Sequence, residues 1–396
     1  MNFTKKISLL SISFVLTTAY AISPGIPLMM RDFPNQSEMS IQMLTTIPAL
    51  SVMIMVLISS LISKHIGSKT TVIIGLIFIS IFGPLPVILN SFPVILLCRL
   101  LLGVGFGLVN PLAVSLISKF FNGDEKATLL GFRGAVESLG QSALTLVAGY
   151  LLTFGWRYSF LVYLVAIPIL IFFMIFIPDI SKEEKEVKQK AEIKNENGVR
   201  KNTLNLNVLM FASVLFFIIL TYVGVKVKLS TLIVNKGYGT VVDAGQILSL
   251  LTFIGMFAAM CFGKFYKILK NNLLTLAIIV IGLGQIIVGY SNSLIMTYIG
   301  SILIGFFYPL VVAFIFNICS TISNENQVTL TTSIMLVGCN TGAFLAPYGL
   351  KLVNLIIRQD NPTLVFTIYG CVLFVIAIVI YYVLKNVQKK YKGSME

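Results

Sequence analysis

The sequence predicts an all-α membrane protein: twelve transmembrane helices in two pseudo-symmetric six-helix bundles, with both termini cytoplasmic. Three observations predict it. Of the 396 residues, 57% are hydrophobic and only 11% are charged, more apolar surface than a soluble chain of this length can hide. The apolar residues come in runs of about 20, the length that crosses a hydrocarbon core at 1.5 Å per helical residue. The second half also repeats the first, at an offset of roughly 200 residues.

The runs fall at 7–30, 40–62, 71–89, 93–118, 128–152, 159–178, 206–233, 242–263, 272–290, 294–318, 329–352 and 363–384. They lack the ten-residue alternation of a barrel, and backbone in lipid must bond to itself, so each is read as a helix. Lys5, Lys6 and an "AYA" at 19–21 resemble a signal peptide. The apolar run continues to Met30, however, and is read as the first span. The expected organisation is an N-terminal bundle (1–178), a linker (179–205), a C-terminal bundle (206–384) and a basic tail (385–396). The linker, rich in Lys, Glu and Asn, is the only long polar stretch.

Charge placement sets the topology. With the N-terminus inside, 20 of the 29 Lys and Arg lie in cytoplasmic segments, 5 lie outside and 4 lie within helices. That bias puts both termini and the linker in the cytoplasm. It also explains the net charge of +14 without nucleic acid, which is not expected as a partner. The five cysteines form no close pair and His65 is the single histidine, so no metal site, disulfide framework or cofactor is expected. No GxxxxGK[ST] loop is present, so ATP does not power the protein directly. The loops are too short for a catalytic lobe, and no enzyme activity is expected.

In the repeat, "LLLGVGFGLVNPLAVSLIS" (100–118) aligns with "GSILIGFFYPLVVAFIFNI" (300–318) at an offset of about 198, pairing Gly107 with Gly305 and Pro111 with Pro309. "LTTAYAI" in the first span aligns with "IILTYVG" in the seventh, Tyr20 against Tyr222. Two six-helix halves related in this way mark a large class of transporters with a midplane site. The whole chain resembles the major facilitator superfamily. "RLLLGVGFG" (99–107) resembles its fourth-helix Arg-x-x-x-Gly-x-Gly motif, and "GWRYSFLVY" (155–163) resembles the Gly-Trp-Arg stretch of the drug- and metabolite-exporting branch. The second-to-third-helix motif departs from the family: in "SLISKHIGSK" (60–69) only Gly67 and Lys69 hold, and Lys64 stands where an aspartate should. Lys267 takes the equivalent place in the second half. The aspartate-dependent inner gate therefore does not carry over.

A charge at mid-helix costs about 2.5–3.5 kcal/mol on insertion scales, so each such residue needs a reason. Arg99, Arg133, Lys226 and Lys228 lie in spans, and Glu137 is the one deep acid. In "GFRGAVESLGQSA" (131–143), Arg133, Glu137 and Gln141 share one helix face. A stripe of Gly134, Ser138, Ser142 and Gly149 beside them is small enough for close packing. The Arg133–Glu137 pair is either a self-contained bridge that locks the helix or a cavity-facing coupling pair. The repeat puts Met335 and Cys339 at the matching places, which favours function.

Burial favours the neutral form of Glu137 and Arg133 favours the carboxylate, so substrate arrival could tip the balance. Arg99, Gln141, Asn110, Tyr20, Tyr222, Lys226, Tyr308 and Asn340 are candidate substrate residues. The resemblance implies that Arg99 bonds helix-one backbone or a proton-bearing group. Lys226 and Lys228 point apart, so at least one is expected to snorkel outward. Pro24 and Pro27 are expected to bend the first span, and together with Gly103, Gly105, Gly107 and Pro111 they are candidate gating positions.

The expected function is secondary transport, proton-coupled through Glu137 and Arg133, of a small anionic or neutral amphiphilic organic molecule. The expected setting is a multi-pass monomer in a lipid bilayer, a bacterial plasma membrane. The Gly-Trp-Arg resemblance favours export. Uptake of an organic anion with protons is the alternative, and the excess of buried cations is compatible with it.

Overall fold

The computed structural model describes residues 2–178, 206–270, 272–322, 328–358 and 361–392, so the 179–205 linker lies outside the described residues. Among these residues there is no strand. The spans after the first are Glu38–Ile66, Ser68–Val87, Phe92–Phe120, Gly123–Leu151, Trp156–Phe176, Leu206–Asn235, Val241–Leu269, Asn272–Tyr290, Leu294–Ile322, Val328–Ile357 and Pro362–Lys392. Among the described residues ten helices are long and apolar enough to cross a membrane, and the bent first span, Phe3–Ser13 with Thr18–Asp32, makes an eleventh. Gly123–Leu151 has 29 residues but is too polar to join them, because Glu137, Gln141 and its glycines and serines dilute the apolar run. It is a membrane helix that its neighbours, more than lipid, must accommodate.

Most helices outrun their apolar segments, because backbone hydrogen bonding continues past the hydrocarbon boundary until something stops it. The twelfth helix runs through to Lys392, past the apolar span Pro362–Lys385. Starts are fixed chemically. Ser37 accepts the Ser40 amide at 3.1 Å, and Thr240 and Asp243 form a reciprocal capping box. Between the second and third spans a single residue turns the chain, Gly67 at φ 87°, a conformation open to glycine at little cost. In place of the aspartate motif, Lys119 Nζ donates to Ser68 Oγ (3.0 Å) and Lys69 Nζ to the Met174 carbonyl (3.1 Å).

The chain forms two compact units: residues to Ile22 with Leu28–Leu206, and Ser23–Pro27 with Asn207 onward. Each contains the same close approach. A β carbon at Gly140 would collide with the Phe14 carbonyl, and one at Gly342 with the Phe216 carbonyl. Both pairs are 202 apart. A second contact recurs as well: Gly103 sits on the Pro48 backbone and Gly305 on the Leu251 backbone. The fourth and tenth spans are therefore in register at 202, one helical turn from the 198 read in the sequence. Gly103, not Gly107, matches Gly305, and at this offset Arg99 corresponds to Ser301.

The first span breaks earlier than its prolines suggest. The bend is 46°, and the helix gives way after Ser13 to i→i−3 bonds such as Leu16 N–H to Ser13 O and Thr18 N–H to Val15 O. Gly140 presses on this same backbone at Phe14. Pro24 occupies a 3₁₀ turn, Ser23–Gly25, and Pro27 lies in the helix that follows it. Pro24's carbonyl accepts Ser230 Oγ at 2.6 Å. Gly103, Gly105, Gly107 and Pro111 lie in one unbroken helix, Phe92–Phe120. The three glycines are packing positions against Pro48, Gly75 and Val52–Met55. The small stripe on the fifth span is likewise only partly packed: Ser142 is buried, whereas a β carbon at Gly134 would meet nothing within 4 Å.

Candidate functional site

Arg99 explains itself through the backbone. Pro48 has no N–H, so the Leu44 carbonyl, four residues earlier, has no helical donor. Arg99 Nε fills that gap at 2.6 Å. Its Nη2 reaches the Ala19 carbonyl in the broken first span at 2.6 Å, and its Nη1 reaches Tyr163 Oη at 2.8 Å. Tyr163 in turn donates to the Thr18 carbonyl at 2.9 Å. Four spans thus converge on one guanidinium with 0% exposure. The bond to helix-one backbone is as the resemblance implies. In this structure the guanidinium is fully buried and its Nε, Nη1 and Nη2 each donate to another span, an arrangement that serves packing.

Arg133 is placed differently. Its Nη2 donates to Asn110 Oδ1 on the fourth span at 2.6 Å, while Nη1 lies 3.4 Å from Glu137 Oε2. The ion pair is the looser contact, consistent with the order Arg before Glu at i,i+4, the less favourable of the two. The side chains stay 16% and 20% exposed, and Arg133 Nε is buried with no hydrogen-bond partner among the described residues. So the pair is not self-contained: the guanidinium is shared between two helices and open to water at one edge. Thr17 Oγ1 approaches the Glu137 carbonyl at 3.5 Å. Gln141, one turn on, is buried at 9% exposure, and Tyr20 is half-buried in the Thr18–Tyr20 turn.

In the second unit, Tyr222 and Tyr308 stack face to face, with centroids 3.6 Å apart and planes 3° apart. Lys226, one turn beyond Tyr222, holds Nζ 4.6 Å from its ring centroid. Three residues chosen separately from the sequence are thus brought together. Lys226 and Lys228 are 4% and 1% exposed, so neither snorkels to the surface. Asn340 donates back to the Leu336 carbonyl of its own helix at 2.9 Å.

The Gly-Trp-Arg stretch builds a clasp in the first unit. Gly155 takes φ 125°. Trp156 Nε1 and Arg157 Nη1 then both donate to Asp32 Oδ2, at 2.7 and 3.2 Å. Arg157 also reaches Asn90 Oδ1 (3.0 Å) and stacks over Trp156. Sequence reading missed Asp32, Pro48 and Tyr163. Only Pro48 carried a signal, a proline inside an apolar run facing a buried arginine.

Comparisons with known proteins agree with this architecture. The chain is 23% identical over 203 residues to the "Putative niacin/nicotinamide transporter NiaP" of Bacillus subtilis (strain 168), covering 50% of this chain and 51% of that one. It is 28% identical over 96 residues to the "Probable L-galactonate transporter" of Escherichia coli (strain K12), covering 24% and 21%. The matches thus span about half of the first relative and about a fifth of the second. A crystal structure of a D-xylose–proton symporter superposes at TM-score 0.76 with 15% identity over 96% of this chain and 97% of that one. A peptide transporter POT in complex with sulfate superposes at 0.71 with 11% identity over 96% and 94%. Residues 8–347 match the sequence model of the Major Facilitator Superfamily, a family of membrane transporters and not of enzymes, and the chain belongs to it.

Proposed function

We propose that this protein is a secondary active transporter that takes up a small organic anion together with protons. The observation that carries the reading is the charge pattern: Arg133, Lys226 and Lys228 lie within spans whose one deep acid is Glu137. An excess of cations over acids held in low dielectric favours an anionic substrate. The relatives named for niacin/nicotinamide and for L-galactonate, of which niacin and galactonate are carboxylates, and the neighbour named a proton symporter support it. Glu137 is the coupling group, because it is a carboxylate whose partner, Arg133, is also held by Asn110 and so stays in place when the acid is protonated. The protein works as a monomer in the cell membrane, with both termini and the linker cytoplasmic. A cysteine at Asn195 in intact cells should resist an impermeant thiol reagent, and rapid labelling would invert that topology.

Export remains the second reading, through the Gly-Trp-Arg resemblance. The Asp32 clasp accounts for those residues without reference to direction, so export is not preferred. In proteoliposomes with acid outside, radiolabelled nicotinate or galactonate should accumulate, and Glu137→Gln should abolish the accumulation while leaving counterflow. Uphill uptake by Glu137→Gln on the pH gradient would remove Glu137 from the mechanism. Accumulation only with acid inside would establish export.

A further inference from the structure

We propose that the anion is an aromatic monocarboxylate, recognised in the second unit by the Lys226 ammonium and the stacked pair of Tyr222 and Tyr308. The inference rests on the anion reading and narrows it. Two phenol rings 3.6 Å apart and 3° from parallel are in the arrangement that electron-rich aromatic faces favour least, since their quadrupoles repel at full overlap. The Lys226 ammonium, 4.6 Å from the Tyr222 centroid, offsets this by drawing on the ring's negative face. Tyr308 covers one face of Tyr222, so the ammonium takes the other. The result is a three-layer stack of cation, ring and ring, with all three side chains offered by two helices and with Tyr222 and Lys226 one turn apart.

An aromatic carboxylate is complementary to this stack in both of its parts. Its charge suits the ammonium, to which it adds a charge-assisted hydrogen bond. Its ring, made electron-poor by the carboxyl group, suits the tyrosine face. The ring and carboxylate of one small molecule lie about as close together as the tyrosine face and the ammonium do. A sugar acid supplies the charge but no flat face, and a neutral aromatic supplies the face but no charge. The structure therefore ranks ligands in an order that a simple positive cavity would not.

The test uses the intact protein in proteoliposomes and measures inhibition of nicotinate counterflow. Benzoate and cyclohexanecarboxylate form the central comparison, because they share charge and approximate size and differ in the π face. Benzoate should inhibit about two- to tenfold better, the range a single aromatic contact supplies. Tyr222→Leu, which removes the face the ligand ring would take, should erase that preference and bring inhibition by benzoate down to that by cyclohexanecarboxylate. Tyr222→Phe, which keeps the ring, should retain the preference and shows that a folded, stacked site survives substitution. Equal inhibition by the two acids, with carboxylate transport intact, overturns the aromatic assignment and leaves the anion reading standing. Benzamide inhibiting as well as benzoate overturns the role of Lys226, and with it the anion reading. Transport of galactonate but not of any ring acid also overturns the aromatic assignment alone.

Discussion

Replacing Arg99 by methionine keeps the aliphatic stem and removes the guanidinium. Two backbone carbonyls, Leu44 O and Ala19 O, then lose donors that now stand at 2.6 Å, whereas Tyr163 keeps its bond to Thr18 O. An unsatisfied buried acceptor costs about 1–3 kcal/mol, so the two together cost about 2–6. Relief from burying a charge offsets part of this, which places the expected loss at about 2–4 kcal/mol. The Leu44 carbonyl is orphaned only because residue 48 is a proline, so Pro48→Ala should supply the missing amide. Arg99→Met should then cost at least about 1 kcal/mol less in the Pro48→Ala background, well above the ~0.3–0.5 kcal/mol scatter of independent sites. The assay is SDS-induced unfolding from mixed micelles, followed by fluorescence of the single tryptophan, Trp156, which is buried in the first unit. If the two substitutions are additive, Arg99 does not serve the carbonyl that Pro48 frees. If Arg99→Met is also as stable as the parent but inactive, the arginine returns to the list of substrate residues.

Three further outcomes follow from the contacts. Gly140→Ala and Gly342→Ala should each lose about 1–3 kcal/mol from overpacking against a carbonyl, whereas Gly134→Ala, with open space around it, should be neutral or gain about 0.5–1 kcal/mol in the same unfolding assay; a costly Gly134→Ala would contradict the packing described. Arg133→Ala should abolish proton-driven uptake while lowering stability by no more than about 1–2 kcal/mol, since water reaches the pair, and Arg133→Ala with Glu137→Ala should stay inactive; an active double variant would mean the pair is only a lock. At the clasp, thermal stability in detergent should fall in the order parent, Asp32→Asn, Asp32→Ala, because the amide oxygen can still accept from Trp156 while the ion pair is lost, and a reversed order would show that the clasp does not hold the spans.

The spans were legible because lipid leaves a helix little choice: apolar length and lysine placement suffice to find them. The repeat was legible too, though its register slipped by one turn in the tenth span. The sequence alignment matched Pro111 to Pro309, whereas the conserved physical event is a glycine seated on a neighbouring backbone, Gly103 in one unit and Gly305 in the other. The break in the first span was misplaced for a similar reason. Proline is a local signal that can be read in one dimension, but the pressure of Gly140 on Phe14 comes from a residue 126 positions away. Tyr222, Tyr308 and Lys226 were each visible as polar groups in apolar helices, yet their stacking depends on the rotation of two helices about their axes, which composition does not specify.

The two arginines within spans of the first unit, Arg99 fully buried and Arg133 partly exposed, show why placement in a span alone does not identify a working charge. Arg99 bonds two main-chain carbonyls and a tyrosine hydroxyl. None of those acceptors changes charge in the range of cellular pH, and two exist because the chain is irregular at Pro48 and in the broken first span. An arginine so placed has one stable arrangement, and its loss is felt as instability. Arg133 bonds an amide oxygen on one side and faces a carboxylate on the other, and the carboxylate can be protonated. In the proposed coupling role the pair has two states, and the Asn110 bond to Arg133 Nη2 would hold the guanidinium in both. A coupling group needs this bistability, and the exposed edge of the pair lets a proton or an anion reach it. The distinction predicts opposite signatures from the same chemical change: an arginine deletion at 99 should be rescued by restoring a backbone donor, and one at 133 should not be rescued by any backbone change, because what it loses is the response to a proton.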